Sequence, residues 1–266
     1  MERAQQLAVM PTSIAGSWMD REPRPAARVR LFCLPYAGGG VSAYRAWQPH
    51  LPAEIDLCPI QLPGRERRYR ERLCTSLTPL VSSLATALWP HVGQTYALFG
   101  HSMGALLAFE LARELRRRGA PAPVRLFVSA LKPPQDLSAR PRDRHRLDDD
   151  ALLEDIRRFG GTPASLLDDG EVMRLVLPIL RADFAMLETH RHYDESPLDT
   201  PITAFAGTHD PEAPPAAMDG WRAQTSAPFR LSVMPGDHFF LQARAARQAL
   251  VDAVTRDLFE ALTQAA

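Results

Sequence analysis

Residues 96–118 read YALFGHSMGALLAFELARELRRR, and the way this stretch divides decides the fold. Tyr96 to Phe99 is a short apolar run suited to a strand buried on both faces. From Met103 to Arg118, Leu107, Leu111 and Leu115 recur at helical spacing before Gly119 stops the pattern. Between the two stands Gly100-His101-Ser102-Met103-Gly104, a G-x-S-x-G pattern. The pattern is short enough to arise by chance, and its context gives it weight, because a strand, a sharp turn and a helix are what a nucleophile-bearing elbow requires. Without Cβ atoms at Gly100 and Gly104 the strand and helix can approach each other. Ser102 is then held at a strained, exposed apex with the positive end of the helix behind it.

Working outward, similar apolar runs recur at Arg28 to Leu34, Ile55 to Ile60, Val124 to Ser129, Ile202 to Ala206 and Phe229 to Met234. Helix-like segments separate them, Leu77 to His91 among them, and Gln242 to Leu262 reads as a closing helix. Strands alternating with helices predict an α/β fold with a mainly parallel sheet and right-handed crossovers. One interval breaks this rhythm: roughly 70 residues lie between Ser129 and Ile202, far more than one crossover needs. Within it, Asp148 to Phe159 reads as a helix with an acidic start, Gly160-Gly161-Thr162-Pro163 as a break, and Asp169 to His190 as one or two further helices. Residues 132–195 are therefore expected to form a helical lid inserted into a core of residues 28–131 and 196–266. Its apolar face, with Leu175, Leu177, Leu180, Phe184 and Leu187, should roof the cleft above Ser102. Residues 1–27, with Pro11, Pro23 and Pro25 and no sustained periodicity, read as an N-terminal extension.

A serine hydroxyl needs a base within hydrogen-bond reach, and that base needs an acid to orient it. Of the eight histidines, His238 in PGDHFFL follows the last strand directly and precedes the final helix, so it projects from a strand end toward the serine. His101 adjoins Ser102 but leaves the turn in another direction and is expected to pack beneath the site. The acid should follow a strand between serine and histidine in the chain. Asp210, in AGTHDP after Ile202 to Ala206, is preferred over Asp136, which opens the insertion, while Asp237 and Glu212 contribute local charge. The anion of a tetrahedral intermediate needs two backbone N–H donors. Met103 supplies one, and the glycine-rich loop Pro35-Tyr-Ala-Gly-Gly-Gly40 the other, from Ala37 or else Gly38. That loop lacks the features of a phosphate loop, having no G-K-[S/T] and no GxGxxG opening the next helix.

Composition narrows the classes. The 266 residues carry 31 basic and 31 acidic side chains, without the basic excess of a nucleic-acid binder. No apolar run approaches the roughly 18 residues of a membrane span, and the first residues do not read as a secretion signal, so a soluble, cytoplasmic monomer is expected. Cys33, Cys58 and Cys74 form no CxxC pair and adjoin no histidine cluster, so neither a disulfide framework nor a metal site is expected. Lys132 is the only lysine. The arginine-rich run Gly64 to Arg72 is either a docking face for an acidic partner or a solvated surface, and Arg116-Arg117-Arg118 complements a helix C-terminus.

Taken together, LFCLPYAGGG, QLPGRERR, LFGHSMGALLAFELA, LRADFAMLETH and PGDHFFL resemble the type II thioesterases that accompany modular polyketide and nonribosomal peptide synthases, over about residues 28 to 262. The resemblance implies an α/β-hydrolase fold with a helical lid. It also implies hydrolysis of acyl groups from the phosphopantetheine arm of acyl or peptidyl carrier proteins, with no cofactor of the enzyme's own. Carried over residue by residue, it makes Ser102 the nucleophile, His238 the base and Asp210 the acid, with the N–H groups of Ala37 and Met103 as the oxyanion hole. The chain departs from the family pattern at Asp237, where a small residue is more usual, and at Thr208-His209 before the acid. The same triad would serve a carboxylesterase or lipase acting on free esters, and a catalytically silent docking module is the reading from outside the enzymes.

Overall fold

The computed structural model describes residues 18–137, 143–161 and 167–264. The first seventeen residues of the expected extension, and Thr162 and Pro163 of the expected break, lie outside them. Six strands form one sheet in the order β2-β1-β3-β4-β5-β6. They are β1 (Val29–Leu34), β2 (Ile55–Pro59), β3 (Tyr96–His101), β4 (Leu126–Ser129), β5 (Ile202–Gly207) and β6 (Phe229–Met234). Every pairing is parallel. Alternate residues of a strand face opposite sides, and here both sides are covered. Phe32, Leu34, Leu98 and Val128 pack with helices α1 (Leu77–Leu88) and α2 (Met103–Arg117). Leu31, Cys33, Phe99, Phe127 and Phe205 pack on the other side, against the closing helix and the 3₁₀ segment Val41–His50. This two-sided burial explains why the strands read as nearly continuous apolar runs.

The strand order turns the chain around between β1 and β3. After β1 it crosses to β2 at the sheet edge, then returns to β3 on the other side of β1, which leaves a crevice at the carboxyl ends of those two strands. Leu34 pairs with Gly100, so the glycine-rich loop after β1 and the Ser102 turn after β3 leave the sheet at the same level. The segments after β5 and β6 emerge at the same edge, with Gly207 opposite Met234.

Between β4 and β5 the chain forms α3 (Pro134–Leu137), α4 (Asp149–Phe159) and α5 (Gly170–Thr189). Both long helices start on aspartate caps: Asp148 accepts from the Ala151 N–H, and Asp169 from the N–H groups of Glu171 and Val172. The expected second half is one helix that runs through Pro178. Leu152, Ile156, Met173, Leu177, Leu180 and Phe184 make a separate apolar cluster. Leu175 departs from the expected inner face and is 74% exposed. After β5 come α6 (Pro215–Met218) and, following β6, α7 (Arg244–Gln264). Among the described residues no helix is long and apolar enough to cross a membrane.

Residues 18–27 lie on the core. Met19 bridges Ile60 in antiparallel fashion, the Gln61 N–H donates to the Trp18 carbonyl at 2.8 Å, and the fully buried Asp56 carboxylate receives Arg21 and Arg24. The arginine-rich run also departs from a plain surface. Arg65 is buried, and Arg68 lies over the Trp18 ring at 4.3 Å while its guanidinium pairs with Glu71. Arg67 pairs with Asp20.

Candidate active site

The elbow is built on steric necessity. Ser102 adopts φ 52° and ψ −122°, a conformation a side-chain-bearing residue takes only when its surroundings impose it. The Ser102 N–H donates to the Ser129 carbonyl at 2.8 Å, and the Ser102 carbonyl accepts from the Ala105 N–H at 2.8 Å. A Cβ on Gly100 would stand 1.9 Å from the Gly104 carbonyl oxygen, and one on Gly104 would stand 2.1 Å from that of Leu34. Neither contact can be relieved by rotating a side chain, so helix, strand and turn fit only with glycine at both positions.

Above this turn Ser102, His238 and Asp210 form one hydrogen-bonded chain. Ser102 Oγ lies 3.0 Å from His238 Nε2, and His238 Nδ1 lies 2.9 Å from Asp210 Oδ2. A carboxylate only accepts, so the imidazole proton sits on Nδ1 and the Nε2 lone pair faces the serine hydroxyl. The other Asp210 oxygen accepts from the N–H groups of Glu212 at 2.8 Å and Ala213 at 3.2 Å, which fixes the carboxylate plane. All three side chains are buried, so Ser102 opens onto the cavity and does not stand exposed as the elbow alone predicts, because other residues wall in the turn. Asp136, the rival acid, stands on the cavity wall, while it is Asp210 that accepts the hydrogen bond from His238 Nδ1. Asp237 is exposed, and its carboxylate caps the local turn by accepting from the Phe239 N–H at 2.9 Å. Thr208 and His209 tie the acid's loop to the base's: the Gly236 N–H donates to Thr208 Oγ1 at 3.1 Å, and the His209 N–H to the Gly236 carbonyl at 2.8 Å.

His101 lies under the site, its Nδ1 2.8 Å from Ser129 Oγ and its ring edge-on to His238 at 5.5 Å. Complete burial, reinforced by the neighbouring His238, pushes its pKa well below the usual imidazole value. The unfolded chain therefore takes a proton below about pH 6.5 that the folded chain refuses, and stability falls as pH drops through that value toward the folded pKa. Urea denaturation between pH 7 and 5 should show the parent losing up to about 1.4 kcal/mol per pH unit more than His101→Gln. Equal slopes would contradict the assignment of a buried neutral imidazole.

The expected oxyanion donors differ in availability. The Gly38 N–H is committed to Asp183 Oδ2 at 2.8 Å, whereas among the described residues the N–H groups of Ala37 and Met103 have no protein acceptor. Ala37, Ser102 and His238 together line a cavity of about 610 Å³. Its apolar wall includes Leu131, Ile156, Leu180, Phe184 and Leu187, and Lys132, Arg144, Glu188 and Arg191 contribute charge. Phe159, at the end of α4, lies 4.5 Å from the His238 ring, and Arg144 lies over Phe159 at 4.7 Å. Sequence reasoning missed Phe159, Arg144, Arg65 and Asp183. The only sequence signal for the last two was their place in QLPGRERR and LRADFAMLETH. Among the described residues no group of three or more His, Cys, Asp or Glu side chains stands together as metal ligands. Cys33 and Cys58 are buried free thiols, their pKa values raised by burial.

Comparison with known proteins bears on this geometry. A family model described as "Thioesterase domain" matches residues 29–258. The gramicidin S biosynthesis protein GrsT of Aneurinibacillus migulanus is 44% identical over 216 residues, covering 81% of this chain and 84% of that protein. Among solved structures, RedJ, a thioesterase from the prodiginine biosynthetic pathway in Streptomyces coelicolor, is 44% identical with a TM-score of 0.81, over 87% of this chain and 91% of its own. YbtT, a type II thioesterase from the yersiniabactin NRPS/PKS biosynthetic pathway, is 33% identical with a TM-score of 0.79, over 92% and 98%.

Proposed function

The chain belongs to the thioesterase family, and from that premise we propose that it acts as the type II, editing thioesterase of a polyketide or nonribosomal peptide synthase. Its substrates are acyl groups carried on the phosphopantetheine arm of acyl or peptidyl carrier proteins. The observation that carries the reading is the Ser102–His238–Asp210 hydrogen-bonded chain, opening into a largely apolar cavity beneath the helical insertion. The match to the thioesterase family model supports it, as does similarity over 81 to 92% of the chain to the gramicidin S biosynthesis protein GrsT and to the thioesterases RedJ and YbtT of the prodiginine and yersiniabactin pathways.

In this mechanism Ser102 Oγ attacks the thioester carbonyl carbon while His238 Nε2 takes the hydroxyl proton, and Asp210 stabilises the imidazolium so formed. The N–H groups of Ala37 and Met103 receive the oxyanion. Collapse breaks the carbon–sulfur bond, and His238 returns its proton to the departing thiolate of the arm. A water molecule, deprotonated by the same imidazole, then attacks the acyl-serine. Collapse breaks the bond between the acyl carbon and Ser102 Oγ, His238 Nε2 returns the proton to that oxygen, and the free acid leaves. No cofactor of the enzyme is required, because phosphopantetheine arrives with the substrate. The carrier protein is the partner, met by a monomeric enzyme. The insertion serves as a lid, its apolar wall holding the acyl chain while the flexible arm passes the rim.

The test is a hydrolysis panel in which each acyl group is presented on a carrier protein, as a free thioester and as an oxygen ester. The expected result is the highest kcat/KM on carrier-bound thioesters. Faster turnover of free oxygen esters would assign the site to a carboxylesterase, and a metal requirement would contradict the serine mechanism.

A further inference from the structure

The loop that supplies the Ala37 donor contains three consecutive glycines, and a free loop of that kind would not hold an N–H aimed at a developing charge. A turn bond of its own and contacts from Asp183, Arg65, Leu180 and Glu66 hold it. The Gly39 N–H donates to the Tyr36 carbonyl at 2.9 Å, closing a four-residue turn whose third residue, Gly38, has φ 77°, the value of a type II turn. The Gly38 N–H, in the turn's central peptide, donates to Asp183 Oδ2 at 2.8 Å, so that peptide cannot flip without losing its acceptor. Asp183 comes from α5, on the insertion, and is itself fully buried. Buried Arg65 grips both its oxygens, at 2.6 and 2.7 Å, and reaches the Gly39 carbonyl at 3.3 Å. Leu180, one turn earlier on α5, presses on the same residue, since a Cβ on Gly38 would come within 2.8 Å of Leu180 Cδ2. The far end of the loop is held by Glu66, which accepts from the N–H groups of Val41 at 3.0 Å and Ser42 at 3.2 Å.

We infer that Asp183 is a positioning residue for oxyanion stabilisation: through Gly38 it fixes the peptide next to the Ala37 donor, and Arg65 cancels its charge. This inference rests on the functional reading above. A lone buried carboxylate beside the point where a negative oxygen forms would oppose the reaction. Paired with a bidentate guanidinium it orients the loop and leaves the local charge balanced. The pair thus links a lid helix to the catalytic floor, with no need for either side chain to touch substrate.

The test compares the parent with Asp183→Asn and Arg65→Lys. The asparagine must offer its amide to one of two donors, and the lysine keeps the charge but loses the fork. Active fraction is first counted by fluorophosphonate labelling of Ser102. Then kcat and KM on an acyl carrier protein, and affinity for an alkyl boronic acid that forms a tetrahedral adduct with the serine, are measured per active site. Asp183→Asn is expected to lower kcat about 10- to 100-fold with KM within about threefold, and to weaken the boronic acid by the same factor as kcat. Arg65→Lys should fall on the same line with a smaller loss, and carries the test alone if the asparagine variant does not fold. Parent-like kcat, or a loss confined to KM or active fraction with boronic acid affinity unchanged, would overturn the inference. A parent protein that is not labelled at Ser102 would instead overturn the reading beneath it.

Discussion

Replacing Ser102 by alanine is expected to lower kcat on carrier-bound thioesters by about 10⁶, leaving only the turnover that oriented donors and binding give to a water molecule. The size of the loss follows from the role. The hydroxyl oxygen is the atom that becomes covalently bound, and among the described residues of the cavity wall no other serine, threonine or cysteine replaces it. The fold should be indifferent to the change, because the strain at φ 52° is imposed by the glycines on either side and the Ser129 carbonyl, and the hydroxyl adds only its bond to His238. Carrier-protein affinity and thermal midpoint should therefore stay near the parent values. Turnover within about tenfold of the parent in purified variant would remove Ser102 from the mechanism.

The second large effect is expected at the acid. Asp210→Asn should cost about 10⁴ in kcat, since an amide facing Nδ1 donates where the carboxylate accepted and so turns the imidazole to the tautomer whose Nε2 bears a proton. That proton would face the serine hydroxyl, 3.0 Å away, and block its deprotonation. The N–H groups of Glu212 and Ala213 anchor one oxygen, which an asparagine can still supply, so geometry should survive while chemistry does not. Asp136→Asn is expected to change kcat by less than about threefold, because Asp136 does not contact His238. Steady-state kinetics of the two variants side by side separates the assignments, and the opposite ranking would move the acid to the segment after β4.

The contrast between these aspartates shows what the sequence could and could not reveal. Strand runs, the elbow and the late histidine were legible because each is a local pattern: buried strands are continuously apolar, and Gly100 and Gly104 are demanded by contacts within a few residues. The parallel fold followed from the alternation alone. What stayed hidden depends on partners distant in the chain. Asp183 and Gly38 are 145 residues apart and Arg65 and Asp183 are 118 apart, so neither periodicity nor composition marks them, and Arg65 reads as one more member of a charged run. Leu175 was misplaced for a related reason: helical spacing gives an apolar stripe but cannot say how wide a stripe the neighbours will cover. The continuity of α5 through Pro178 was likewise unreadable, because packing of Leu177, Leu180 and Phe184 outweighs the missing N–H.

The central claim, that acyl groups pass from a carrier protein to Ser102 and then to water, is tested most directly by intact-mass and peptide mapping of the protein after rapid mixing with an acyl carrier protein and acid quench. The account predicts a transient adduct with the mass of the acyl group on the peptide bearing Ser102. It should appear as holo carrier protein is released, decay as free acid accumulates, and be absent from Ser102→Ala. Consumption of the acyl carrier protein at the parent rate by Ser102→Ala, or an acyl adduct on some other residue, would contradict it.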